Sequence, residues 1–383
     1  MKIGFLTPEF PHAKTGTSGG IGTSVLNLSK GLIASGNQVV IIVYGQEKDE
    51  VFEENGLTIY KIKNIKFKGL SLYLTQKKVE KLINKLYEQK KITIVEAPDW
   101  TGFTSFIKSK CTLVIRLNGS DTYFCHLDNR PVKFLNKFNE KRALKNADAV
   151  ISVSQFTADL TNKLFSLQRN FTVIPNCIDI QEFNFSEDEV ASQKKTILYF
   201  GTLIRKKGAL ELPLIFNEIY KKNNQVKLIL IGRDSPDIIS KNSSTWQMMQ
   251  ALFEPKVLDN VKYLGSVPYD KIKEHISTST VCVFPTFAEA LPVSWIEAMA
   301  MQKAIVASNI GWASEVIDDG INGYLVHPKN HKEYADKVLK LFEDAALRNQ
   351  FGVAARKKVE QKFSIEVVAK QNIEFYKKIA KTI

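Results

Sequence analysis

The chain has 383 residues, 44% hydrophobic and 24% charged, a composition that excludes a disordered chain and is long enough for two domains. No apolar run reaches the roughly 18 to 20 residues of a membrane span, and Met1 leads into a short strand rather than a long apolar leader, so a cytoplasmic protein is expected. The formal charge of +13 calls for an anionic partner or a dispersed surface, and Cys111, Cys125, Cys177 and Cys282 lack Cys-x-x-Cys spacing, which argues against zinc or a disulfide framework.

In chain order, residues 3–7 read as a strand, followed by the glycine loop Thr15-Gly16-Thr17-Ser18-Gly19-Gly20-Ile21-Gly22. A helix with apolar Ile21, Val25, Leu28 and Leu32 comes next, then a second strand over 39–44, completing a β-α-β unit. Without β-carbons the loop lets backbone N–H groups approach a phosphate. Its spacing fits neither a dinucleotide fingerprint nor a Walker loop.

Residues 61–91 are strongly basic: Lys61, Lys63, Lys66, Lys68, Lys77, Lys78, Lys81, Lys85, Lys90 and Lys91 meet only Glu80 and Glu88. Val79, Leu82, Ile83, Leu86 and Tyr87 recur at helical spacing, so the lysines are either an ordinary solvated helix face or a contact surface for anionic lipid headgroups or a diphosphate-lipid carrier. No nucleic-acid motif accompanies the charge.

Further strands are expected at 92–95, 113–117, 149–153 and 171–174. Two of the loops behind them, Glu96-Ala97-Pro98-Asp99-Trp100 and Arg116-Leu117-Asn118-Gly119-Ser120-Asp121, should open at a sheet edge. Asp99 and Trp100 suit a sugar acceptor, a carboxylate for hydroxyls and a ring face to stack, against the alternative of a core Trp. His12 and His126 read as ordinary surface or loop histidines.

Polar, acidic residues around Glu187-Asp188-Glu189 and Ser192-Gln193-Lys194-Lys195 mark a linker. A second sheet follows, with strands at 196–200, 226–231, 261–264, 281–284, 304–307 and 324–326, then helices over 334–342 and 365–379. Arg205, Lys206 and Lys207 emerge after its first strand, where three cations need a counter-charge or form a solvated loop. Arg233, ending another strand, can reach phosphate or ribose or remain on the surface, and 234–244 should be a mobile loop.

The most informative stretch runs from Phe284 to Ala300. A strand enters a Pro-containing turn that opens a helix, placing Glu289 at the strand's carboxyl end and Glu297 in the early helix. N–H groups of Leu291 and Val293 would face an anion, a phosphate, whereas Pro292 has none to offer but suits a first turn. Two carboxylates around such a helix start can bind the hydroxyls of two sugars, as a nucleotide sugar presents them.

Glu289 and Glu297, with seven residues between them and the Glu-Ala-Met-Ala continuation, resemble the paired-glutamate motif of family 4 retaining glycosyltransferases, the glycosyl transferases group 1 of GT-B fold. The likeness continues through Lys303-Ala304-Ile305-Val306-Ala307-Ser308, Gly311, Glu315-Val316-Ile317, Asp319-Gly320-Ile321-Asn322-Gly323-Tyr324-Leu325-Val326 and, at the amino end, Gly19-Gly20-Ile21-Gly22. It implies an α/β fold of two Rossmann-like domains with parallel sheets facing across a cleft. The acceptor domain would span 1–185, joined by a carboxyl-terminal helix of about 366–383, and the donor domain 195–365. By the same resemblance Gly19 and Gly20 contact the donor diphosphate and the Val267 backbone holds the base. Lys207 keeps the family lysine, while Thr202 stands where the family has an arginine, for which Arg205 is the candidate substitute. Asn118 stands where many relatives place a sugar-contacting histidine, which excludes a histidine base there.

The expected reaction moves a hexosyl unit from a UDP- or GDP-linked sugar to the hydroxyl of a saccharide or lipid-linked acceptor, with retention and without a metal or further cofactor. The resemblance implies cell-envelope or capsular polysaccharide synthesis, with peripheral contact at the inner membrane face as an option for 61–91. Glu289 orients the sugar and Lys207 stabilises the leaving diphosphate. No Asp-x-Asp sequence occurs in the chain. The alternatives are a nucleotide-sugar epimerase on the same scaffold and a non-catalytic nucleotide-sugar-binding subunit.

Overall fold

The computed structural model describes residues 1–16, 18–184 and 195–380; the expected linker, Thr17 of the glycine loop and the last three residues lie outside this set. Two compact units result, one of Met1–Ile178 with Phe363–Ile383, the other of Asp179–Lys362.

The first unit is built on an eight-stranded sheet: β1 (Lys2–Thr7), β2 (Gln38–Gln46), β3 (Glu50–Glu54), β4 (Leu57–Lys63), β5 (Ile94–Pro98), β6 (Thr112–Leu117), β7 (Ala149–Ser152) and β8 (Thr172–Val173), in the order β3-β4-β2-β1-β5-β6-β7-β8. Neighbours are parallel apart from the β3–β4 hairpin. Strands β5 and β6 are buried along their whole length, which is why their sequences are nearly unbroken apolar runs. The hairpin turns at Asn55-Gly56, both with positive φ as a two-residue hairpin turn requires.

That hairpin and the helix Ser71–Glu88 divide the basic segment. Lys61 is buried in β4 and pairs with Glu50 at 3.4 Å, Lys77 pairs with Glu80 at 2.7 Å, and Lys78 pairs with Asp49 at 2.6 Å. Val79, Ile83 and Leu86 face the core, so the body of the helix carries its lysines on a solvated face. Residues 61–91 are therefore not one continuous contact surface.

The helix Ile365–Ile379 closes the first unit. It crosses the helix Gly20–Ala34 so closely that a β-carbon on Gly31 would stand 2.4 Å from the Ile365 side chain. Beneath it lies a buried polar network: Arg116 donates to Glu96 through Nε (2.7 Å) and Nη2 (3.2 Å), to the Ile174 carbonyl and to Asn372, while the Tyr376 hydroxyl donates to Glu96 Oε2 at 2.7 Å.

The second unit has six parallel strands, β9 (Thr196–Phe200), β10 (Lys227–Ile231), β11 (Val261–Tyr263), β12 (Val281–Phe284), β13 (Ala304–Ser308) and β14 (Tyr324–Val326), ordered β11-β10-β9-β12-β13-β14. This is the doubly wound order of a nucleotide-binding sheet, with the direction of winding reversing between β9 and β12.

The buried network should decide the stability of the first unit. Tyr376→Phe removes one hydrogen bond to a buried carboxylate and should lower unfolding stability by about 1.5–3 kcal/mol. Arg116→Ala strands the Glu96 carboxylate and should cost about 3–5 kcal/mol. Urea denaturation followed by circular dichroism measures both, and an Arg116→Ala loss smaller than that of Tyr376→Phe would contradict the assignment.

Candidate active site

At the reversal point of the second sheet the connections after β9 and β12 part in opposite directions, the place where open parallel sheets bind ligands. Strand β9 runs into Gly201-Thr202 and the short turn Arg205–Lys207, and β12 runs through residues 285–292 into the helix Val293–Ala300. The Lys206 carbonyl fastens the two segments, accepting from the N–H groups of Phe287 (2.8 Å) and Ala288 (3.1 Å). Gly208 ends the turn at φ +71°, and a β-carbon there would lie 1.8 Å from the Pro285 carbonyl oxygen, so only glycine permits the approach.

Fastened in this way, Lys207 meets Glu289, with Nζ 2.8 Å from Oε1 and both side chains part-exposed. Glu297 sits deeper, on the helix's inner face, where burial pushes its pKa up to about 7 against the opposing effects of a Tyr269 hydrogen bond and the Lys207 charge. The Tyr269 hydroxyl donates to Glu297 Oε1 at 2.6 Å. The buried Tyr199 hydroxyl donates to the Thr202 carbonyl at 3.1 Å, and its pKa is raised by burial and by the Glu289 charge. Lys207, both glutamates and two tyrosine hydroxyls thus share one corner of the sheet.

The helix begins at Val293 with Pro292 as its cap, one position earlier than a first-turn proline. Its first N–H groups precede the earliest carbonyls that could satisfy them within the helix. Val293 and Ser294 are partly exposed, and Leu291 is buried. Val267 is part-buried beyond β11, and the Arg233 side chain is exposed at the end of β10.

Arg205, the candidate substitute for the missing arginine, is engaged by a carboxylate of its own unit. Its Nε and Nη2 donate to Asp237 at 2.9 and 2.8 Å, and these hydrogen bonds hold the Asp237 carboxyl well below the usual carboxylate range. Asp237 also accepts from the Ser240 N–H and hydroxyl. The stretch expected to be mobile is laced further by Ser244 Oγ on Asp234 (2.6 Å), Asp237 N–H on the Asn242 carbonyl and Thr245 Oγ1 on the Ser235 carbonyl. Arg205 is the clamp of this loop.

In the first unit the reversal point lies between β1 and β5, beside a cleft lined by Phe5, Ile21, Glu96, Pro98, Arg116 and Asn118. The glycine loop does lead into a helix start at Gly20, but an anion is already there: Glu9 Oε1 accepts from the Gly22 N–H at 3.0 Å, and a β-carbon on Gly19 would stand 3.2 Å from the same carboxylate. Asp99 is only 2% exposed, and its Oδ1 accepts from the Asn118 N–H at 2.9 Å. Burial pushes its pKa up to about 7 against that hydrogen bond, with the Glu140 charge adding to the rise. Asp99 therefore holds the Asn118 loop from inside rather than meeting a sugar at the surface. Asn118 and Trp100 are half-buried.

The pattern described as glycosyl transferases group 1 matches residues 180–358, and that described as glycosyltransferase family 4 matches residues 18–182. The chain belongs to the group 1 glycosyltransferases of GT-B fold. It is 25% identical over 400 residues to an uncharacterized glycosyltransferase of Methanocaldococcus jannaschii, covering 98% of each chain. To the capsular polysaccharide biosynthesis glycosyltransferase CapM of Staphylococcus aureus it is 27% identical over 244 residues, 60% of this chain and 61% of the relative. The solved structure of Anabaena HepE in complex with UDP and glucose superposes with a TM-score of 0.77 at 19% identity, covering 98% of this chain and 99% of that one.

In the transferase, sequence reasoning placed Glu289, Glu297 and Lys207 at one sheet edge but missed Tyr199, Tyr269, Asp237, Glu9 and Glu140. Glu140 is 1% exposed and accepts from the N–H groups of Asp121 and Thr122 at 2.9 and 3.2 Å. Each of these partnerships joins residues far apart in the chain or lies outside any motif.

A pH dependence follows from Glu297. Folded, it keeps its proton to about pH 7, whereas its ordinary value is 4.5. Between those limits the folded chain binds more protons than the unfolded one, so the contribution to stability falls as pH rises and levels off above the folded value. Glu297→Gln should remove this share of the decline between pH 5 and pH 8 in denaturation experiments; an unchanged slope would contradict it.

Proposed function

We propose that this transferase moves a hexosyl unit from a nucleoside-diphosphate sugar to an acceptor hydroxyl, with retention at the anomeric carbon and without a metal. The observation that carries the reading is the Lys207–Glu289 pair at the reversal point of the second sheet, beside a helix start. Across that pair ammonium and carboxylate neutralise one another. A nucleotide sugar brings both of their other partners, phosphate oxygens for Lys207 and sugar hydroxyls for Glu289.

Charge that builds on the departing diphosphate meets Lys207 and the first N–H groups of the helix Val293–Ala300. Glu289 holds the hexose in place, and Glu297 presents its carboxyl to ribose from the helix's inner side. The bond from the anomeric carbon to phosphate breaks as the acceptor oxygen attacks from the same face, and the departing phosphate oxygen takes the acceptor proton. The Val267 backbone lies along the base. The UDP and glucose of the Anabaena structure support a UDP-linked hexose as the first donor to test, and the likeness to CapM supports an acceptor in polysaccharide synthesis.

A thermal-shift panel of UDP-, GDP- and ADP-linked sugars should show one base stabilising the chain by mass action. Lys207→Ala should then lower turnover about 100-fold or more, the loss of about 3 kcal/mol seen when one charge-stabilising group is removed. The same variant should leave folding nearly unchanged, because a partly exposed pair is worth about 0–1 kcal/mol. Wild-type turnover in Lys207→Ala, or an epimerised sugar released without acceptor, would overturn the reading.

A further inference from the structure

Residues 66–73 are all exposed, and they include Phe67 at 57%, Leu70 at 50%, Leu72 and Tyr73. On the helix Phe134–Asn146, Phe134 is 80% exposed and Leu135 68%, with Phe138 beside them and stacked on Phe134 at 6.4 Å between ring centres. The helix turns the opposite face inward through Asn139, Glu140, Ala143 and Leu144. The two segments are joined through the Phe106 ring. Tyr73 meets the Phe106 ring edge-on at 5.7 Å, and Arg142 lies over that ring at 4.6 Å. Beneath them Gln76, Ser105 and Asn139 form a buried hydrogen-bond relay that ties the two helices together.

Around this patch stand Lys66, Lys68, Lys133, Lys137, Lys141 and Lys145, and among the described residues none of them forms an ion pair. Lys77 and Lys78, a turn further along, do. Phe134, Phe138 and Arg142 repeat at i, i+4 and i+8, so the helix presents rings at its start and positive charge along the same side. Exposed apolar area ringed by unneutralised cations selects its occupant. A second copy of this chain would bring the same lysines face to face. Nucleic acid would satisfy the lysines and leave Leu70, Leu72 and Leu135 in water.

We propose that this surface of the first unit seats on an anionic lipid bilayer. Phe67, Leu70, Phe134 and Leu135 enter the boundary between headgroups and acyl chains, and the lysines lie at the level of the phosphates.

Co-sedimentation of the full chain with vesicles tests this. The wild type should pellet with phosphatidylglycerol-containing vesicles, bind pure phosphatidylcholine far more weakly, and release as salt rises. Phe134→Ser with Phe138→Ser should weaken binding at least tenfold. Lys66→Glu with Lys68→Glu should weaken it by roughly fivefold or more per lysine. Both double variants alter exposed side chains and should keep the wild-type melting temperature. Lys90→Glu with Lys91→Glu, at the far end of the helix Ser71–Glu88, should change binding much less. The proposal is overturned if the wild type stays in the supernatant, if neutral and anionic vesicles bind equally, if the Lys90 and Lys91 variant loses as much as the patch variants, or if the phenylalanine variant instead turns a dimer into a monomer by light scattering.

Discussion

One carbonyl decides which side chains meet at the reversal point of the second sheet. The Lys206 oxygen takes two N–H groups from the loop after β12, and this lashes a turn from one strand to a loop from another. Glycine at position 208 is the only side chain small enough for the contact. Lys207 faces Glu289 as a consequence of backbone geometry rather than through its own charge. The ion pair is correspondingly cheap to exchange, because a pair that keeps contact with solvent on both sides holds little of the fold together.

Below that exchangeable pair each unit stores carboxyl groups in a different state. Glu297, Asp99 and Glu140 are buried among hydrogen-bond donors, and burial pushes all three up to about 7. Glu96 is buried to a similar degree but is met by a guanidinium and a phenol. Asp237 lies at the other extreme, held ionised by Arg205. For Asp237 the deciding partner is the arginine in direct contact with it.

The paired-glutamate stretch was legible because its information is local: strand, proline turn, helix start and both carboxylates lie within one short run. The parallel strands were legible because a strand buried on both faces is a continuous apolar run. The hairpin of β3 and β4 carried its own signal in Asn55-Gly56, set between the acidic run before it and the basic segment that begins at Lys61. Arg205 with Asp237, Glu9 with Gly22 and Tyr269 with Glu297 left no local trace. Each is a meeting of separate loops that periodicity does not encode, and the glycine loop in particular gave no sign that a neighbouring glutamate already fills its helix start.

The helix Ile365–Ile379 has a consequence for biosynthesis. Its Tyr376 hydroxyl and Asn372 amide complete the polar network of a sheet whose first strand begins at Lys2. During translation every strand of the second unit leaves the ribosome before that helix does. A nascent amino-terminal half therefore waits with Glu96 and Arg116 uncovered and the Gly31 groove bare, and it reaches its finished core only after the whole second unit and then that helix have been made.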